Sequence, residues 1–171
     1  DPVERPEGRV VRSRSWLAPA SCDLGGVAAL LRFRREANRA DLIHYHFPWP
    51  FADLLHFVTR PEKPSLITYH ADVVEKGVLG RCYRPLQTRM LASMQAVVAT
   101  SPAYRQTSPA LRRVEASSPG RVEVIPLGVS ESSYQGYLDA AGEISVTESF
   151  GLTPDRYFLF IGAARAYKAL P

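Results

Sequence analysis

The pattern of this sequence is that of an α/β protein, a parallel sheet with helices on both faces. Short apolar or β-branched runs of four to six residues alternate with helical stretches along the chain. Those runs are mostly apolar on both faces, as strands of a covered parallel sheet are. The chain has 171 residues, of which 46% are hydrophobic and 22% charged, enough for one sizeable core and too short for two full domains.

Each element has its own local signal. Residues 9–13 (RVVRS) are expected to form a strand, 19–26 a loop and 27–38 a helix. Residues 41–46 (DLIHYH) form the next strand, 51–59 a helix and 61–64 a turn carrying two prolines. Residues 65–69 (SLITY) are a strand, followed by a loop and a helix over 79–94. In that helix Leu79, Tyr83, Leu86, Met90 and Met94 recur at three-to-four spacing, with Arg81, Arg84 and Arg89 on the other side. Residues 96–99 (AVVA) are a strand, 102–114 a broken helical region and 122–125 (VEVI) a strand. A short helix is expected near 143–150 and a last strand at 157–161 (YFLFI), beyond a connection of about 25 residues that is long for one domain. These signals divide the chain into a first domain over 1–129, a linker over 130–155 and the start of a second domain over 156–171.

Several classes are excluded. No run approaches 18 apolar residues, so nothing spans a membrane as a helix, and no basic-then-apolar leader is visible. The first residue is Asp1 rather than Met, which points to a fragment. Cys22 and Cys82 form no C-x-x-C pair, so neither a disulfide framework nor a cysteine zinc site is expected. The net charge of +4 is uneven, with seven basic and two acidic residues over 71–114. That segment is either a solvated helix face or a surface for an anionic partner. Nucleic acid is not expected, because the cations are scattered and no nucleic-acid motif is present.

In open parallel sheets, ligands bind outside the carboxyl ends of the strands. Polar and permissive residues gather there: His44 and His46, then His70 and Asp72, then Thr100 and Ser101, then Pro126 and Gly128, then Gly162, Arg165 and Lys168. His44 and His46 are two apart on a strand, so both rings face one side. They are either satisfied crevice histidines or, with His70 and Asp72, a metal site supporting a metallohydrolase. His56, on the following helix, is expected to be half-buried packing. His70 lies between strand and loop, where an imidazole can exchange a hydrogen bond or proton with a substrate hydroxyl. In G-A-A-R-A-Y-K (residues 162–168), a strand-end glycine followed by two cations is either a phosphate cradle or plain surface charge. No P-loop or dinucleotide fingerprint accompanies it.

Together these segments resemble a known family. D-L-I-H-Y-H-F-P-W-P-F-A-D-L (41–54), T-Y-H-A-D (68–72), Y-R-P-L (83–86), V-V-A-T-S-P-A-Y (97–104), V-I-P-L-G-V (124–129) and F-L-F-I-G (158–162) with Tyr167-Lys168 occur in the order seen in family 4 glycosyltransferases. The resemblance implies a GT-B fold, two Rossmann-like domains facing across a cleft. This chain would then hold most of the N-terminal acceptor-side domain, truncated before its first strand and glycine-rich loop, and a stub of the donor-binding domain. It implies retaining transfer of a sugar from a nucleotide-sugar donor to a glycan or lipid-linked acceptor, without a required metal or other cofactor, in polysaccharide or glycolipid biosynthesis.

By the same resemblance, His70 is the catalytic cleft histidine; His46, Asp72, Ser101 and Gly128 line the acceptor cleft; Gly162, Arg165 and Lys168 hold the donor phosphates. The family's arginine after the strand-end glycine is Ala163 here, and the glycine after the lysine is Ala169; Arg165 is expected to supply the missing cation. The arginines of the 79–94 helix would meet an anionic membrane surface or a lipid pyrophosphate, on the cytoplasmic side. The fragment alone is expected to be inactive. The alternative is a non-catalytic Rossmann-like sugar- or nucleotide-binding module, which Ala163 and Ala169 favour.

Overall fold

A computed structural model describes residues 3–5, 8–17, 24–73, 77–128, 150–152 and 156. The chain divides into two compact units, Asp1–Leu127 and Gly128–Pro171. The helix expected near 143–150, the strand at 157–161, and Gly162, Ala163, Arg165, Lys168 and Ala169 lie outside the described residues.

The first unit opens differently from expectation. Instead of one strand over 9–13, two short antiparallel pairs form. β1 (Val3–Arg5) pairs with β2 (Gly8–Val10), and β3 (Ser15–Leu17) pairs with β4 (Leu24–Gly25). The reason is local. The V-V pair is flanked by Arg9, Arg12 and Arg14, and β1 and β2 are almost wholly exposed, so they cannot enter a buried sheet. Arg9 instead reaches Glu36 at 2.9 Å.

From α1 (Val27–Arg39) onward the chain follows the alternating pattern. β5 (Ile43–Phe47), α2 (Pro50–Thr59), β6 (Ser65–Tyr69), α3 (Gly77–Ser93), β7 (Ala96–Ala99), α4 (Pro102–Thr107), α5 (Pro109–Ser117) and β8 (Val122–Val124) complete it. The four long-range strands form one parallel sheet in the order β5-β6-β7-β8. The α/β, Rossmann-like reading of the sequence is what the structure shows.

Helix boundaries have identifiable causes. Pro50 stands in the first turn of α2, where its missing N–H costs nothing, and Arg60 closes that helix with φ 47° before Pro61. The expected break in the helical region is a repeated Ser-Pro-Ala. Ser101 caps α4 by accepting from the Tyr104 N–H at 3.1 Å; Ser108 caps α5 by accepting from the Leu111 N–H at 3.4 Å. Each is followed by a proline that starts the helix it caps.

The strand register sorts side chains by face. Ile43 pairs with Ser65, Tyr45 with Ile67 and Phe47 with Tyr69, and the same row continues through Val97, Ala99 and Val122. This row packs on Ala37 of α1, Ala52 of α2, Met90, Leu91 and Met94 of α3, and Ala110, Leu111 and Val114 of α5. Burying side chains of this size contributes about 1.5–3 kcal/mol each before entropy is counted. On β5 burial alternates strictly, leaving His44 and His46 exposed on the opposite face.

Candidate functional site

The period-two geometry of two neighbouring parallel strands builds the site. His46 pairs with Thr68 across β5 and β6, and His70, two residues beyond Thr68, stands on the same face. The His70 N–H donates to the Phe47 carbonyl at 3.0 Å, extending the ladder one step past the strand ends. The histidines therefore meet. Nδ1 of His46 is 2.8 Å from Nε2 of His70, with the rings stacked at 5.1 Å between centroids. His44 stacks on the other side of His46 at 4.6 Å, and its Nε2 is 2.7 Å from the Thr68 hydroxyl.

Burial holds the pKa of His44 below its ordinary value, and the neighbouring His46 and His70 cations lower it further. His70 is lowered by burial and then by His46. These shifts favour neutral imidazoles at His44 and His70, each able to donate through one nitrogen and accept through the other. His56 is half-buried as expected, bonded through Nδ1 to the Tyr45 hydroxyl at 3.0 Å and through Nε2 to the Ser93 hydroxyl at 3.2 Å.

Asp72 does not join the histidines. Its Oδ1 accepts from the Tyr69 hydroxyl at 3.1 Å and from the Ser108 hydroxyl at 2.7 Å. The Tyr69 oxygen in turn accepts from Gln87 Nε2 at 2.7 Å. Tyr69 is fully buried, and burial together with the Asp72 charge pushes its pKa far up, so it remains a neutral donor. The metal reading of the histidines therefore lacks its carboxylate. Among the described residues no group of three or more His, Cys, Asp or Glu is arranged to hold a metal ion.

The remaining strand-end residues take separate positions. Ser101 follows β7 and its hydroxyl is committed to the start of α4. Gly128 opens the second unit, and a Cβ added there would meet nothing within 4 Å. Ser108, Tyr69 and Gln87, which organise Asp72, did not stand out in the sequence; the second Ser-Pro-Ala was the one available signal for Ser108. Asp53 is a further buried carboxylate. It accepts from the Tyr83 hydroxyl at 2.5 Å, and burial raises its pKa to about 6.

The carboxyl ends of the strands, where the polar side chains lie here, are the edge at which open parallel α/β sheets generally bind ligands. The chain belongs to glycosyltransferase family 4, whose model matches residues 1–133. It is 41% identical over 170 residues to D-rhamnosyltransferase WbpZ of Pseudomonas aeruginosa, covering 99% of this chain and 42% of that protein. It is 37% identical over 169 residues to O-antigen chain mannosyltransferase C of Escherichia coli, covering 99% of this chain and 43% of that protein. The chain thus spans about two fifths of the length of these relatives.

Proposed function

We propose that this chain is the acceptor-side part of a retaining glycosyltransferase that moves a hexose-type sugar from a nucleotide-sugar donor to a glycan or lipid-linked acceptor in surface polysaccharide assembly. The observation that carries the proposal is the His46–His70 contact at the carboxyl edge of the sheet, in a chain similar over 99% of its length to a rhamnosyltransferase and a mannosyltransferase.

In the proposed reaction the acceptor oxygen bonds to the anomeric carbon of the donor sugar while that carbon's bond to the donor phosphate oxygen breaks. The acceptor hydroxyl proton leaves with the nucleoside diphosphate. His70 holds a hydroxyl of the transferred sugar, and His46 fixes the tautomer and tilt of His70. Arg165 and Lys168 are proposed to meet the charge that grows on the departing diphosphate, where other enzymes use a metal ion. Exposed Arg81 and Arg89 on α3 support peripheral contact with an anionic membrane surface on the cytoplasmic side. Among the described residues no helix is long and apolar enough to cross a membrane.

The test uses the full-length parent protein with nucleotide-activated mannose and rhamnose and an isolated glycolipid acceptor. Acceptor-dependent release of nucleoside diphosphate is expected, with the product keeping the donor's anomeric configuration by NMR. His70→Ala is expected to lower kcat at least about 100-fold, in the range of a lost general catalytic contact. Transfer that survives His70→Ala unchanged overturns the role of His70. Sugar binding without any transfer supports instead the non-catalytic module that Ala163 and Ala169 favour.

A further inference from the structure

His70 stands where the sheet ends and regular structure stops. β6 closes at Tyr69, and residues 70–73 belong to no helix or strand. The place of the imidazole is therefore set by what holds this short stretch on either side. Upstream, the His70 N–H donates to the Phe47 carbonyl at 3.0 Å. Downstream, the Asp72 side chain is held by hydroxyls from two separate elements, Tyr69 of β6 at 3.1 Å and Ser108 at the start of α5 at 2.7 Å. Ala71 alone lies between the two anchored residues.

Both hydroxyls are oriented before they reach Asp72. The Tyr69 oxygen accepts from Gln87 Nε2 of α3 at 2.7 Å, and the Ser108 oxygen accepts from the Leu111 N–H of α5 at 3.4 Å. With a donor already on each oxygen, its own hydrogen is directed to the carboxylate. Tyr69, Gln87 and Ser108 are all buried, so little water competes for these bonds. The carboxylate serves here as an acceptor and not as a charge toward the imidazole. Burial and His46 are the causes that lower the His70 pKa, and Asp72 is not among them.

We propose that Asp72 and Ser108 are positioning residues for His70: the Ser108 hydroxyl fixes the Asp72 carboxylate, and the carboxylate fixes the two-residue step back to the imidazole. The proposal rests on the role of His70 in sugar transfer. Asp72 then acts through His70 and not on the acceptor. The two Ser-Pro-Ala segments also acquire different tasks, since Ser101 and Ser108 both cap a helix and Ser108 in addition turns its hydrogen to the strand-end loop.

The experiment uses the full-length parent protein with nucleotide-activated mannose or rhamnose and an isolated glycolipid acceptor. Initial rates are measured beside the imidazole NMR signals of His70, assigned with His70→Ala. Ser108→Ala is expected to lower kcat about tenfold with KM for both substrates nearly unchanged, as displacement of a reacting group does. In an Asp72→Ala background the same substitution should change kcat by less than about twofold, because its path to His70 is already cut. Loss of the α5 cap, by contrast, is felt equally in both backgrounds. Tyr69→Phe removes one hydroxyl from Asp72 and leaves that cap in place; it should also lower kcat, and it decides the matter if Ser108→Ala fails to fold. Asp72→Asn keeps an oxygen that can accept from both hydroxyls and should retain several-fold more activity than Asp72→Ala. Gly25→Ala, destabilising through Ala29 and Phe51, should keep the native kcat and the native His70 signals. An equal kcat loss from Ser108→Ala in both backgrounds, a loss in Asp72→Asn as deep as in Asp72→Ala, or His70 signals unmoved by Ser108→Ala overturns the positioning role. If the native parent transfers no sugar, the transferase reading falls, and the His70 signals alone decide whether Ser108 places the ring.

Discussion

Nδ1 of His46 and Nε2 of His70 face each other at 2.8 Å, so one ring must donate a proton there and the other must accept it. Both cannot be imidazolium without setting two N–H groups against each other. His44, stacked on the far side of His46, feels the same constraint through its neighbours' charge.

Removing the central ring should therefore release the outer two. Burial, the larger cause of their lowered pKa values, remains in His46→Ala, while the charge of His46 is lost from both. His44 and His70 are expected to titrate at higher pH in the variant, read from imidazole proton shifts by NMR. Unmoved titration curves would show that the stack is not electrostatically coupled.

Asp53 and the histidines should act on stability in opposite directions. The folded-state pKa of Asp53 is raised from 3.8 to about 6, so the folded state binds that proton more tightly and stability falls as pH rises through that window. His44, His56 and His70 are lowered from 6.5, so their contribution is present above that value and is lost as pH falls below it. Asp53→Asn should gain stability relative to the native chain between about pH 4 and pH 7. Urea midpoints at the two ends of that range test it, and a pH-independent difference contradicts it.

The two capping serines should differ despite identical local sequence. Ser101 is partly exposed and caps α4, so Ser101→Ala is expected to cost about 1 kcal/mol. Ser108 is 1% exposed and also donates to Asp72, so Ser108→Ala should cost about 2–3 kcal/mol. Equal costs in urea denaturation would mean that the Asp72 bond adds nothing.

Gly25 has no room for a side chain. A Cβ there would lie 2.6 Å from the Ala29 Cβ and 3.0 Å from Phe51 Cε1. Gly25→Ala is expected to destabilise the chain by about 1–3 kcal/mol, with a matching fall in Tm. An unchanged melting curve would show that β4 yields freely against α1 and α2.

The parallel part of the fold was legible because its strands are buried. Residues 65–69 and 96–99 have the expected bounds, because runs of four or five residues, rich in β-branched side chains and too short for a helix, suit a covered strand. The first hairpin was not legible: β1 and β2, three residues each and almost wholly exposed, carry no hydrophobic period. The site divides the same way. That His44 and His46 share a face follows from strand geometry alone, whereas the turning of Asp72 toward Ser108 depends on a residue 36 positions away. Strand spacing reports faces, and only packing decides which loop carboxylate meets which helix.

The hydroxyl of Ser108 is a donor and an acceptor at once. It bonds outward to Asp72 and inward to the amide of Leu111, whose side chain is fully enclosed in the core. Two hydrogen bonds therefore connect the partly exposed carboxylate of Asp72 to a fully enclosed part of the domain. A force on that carboxylate is thus carried into the packed sheet-and-helix layer rather than absorbed by its own loop.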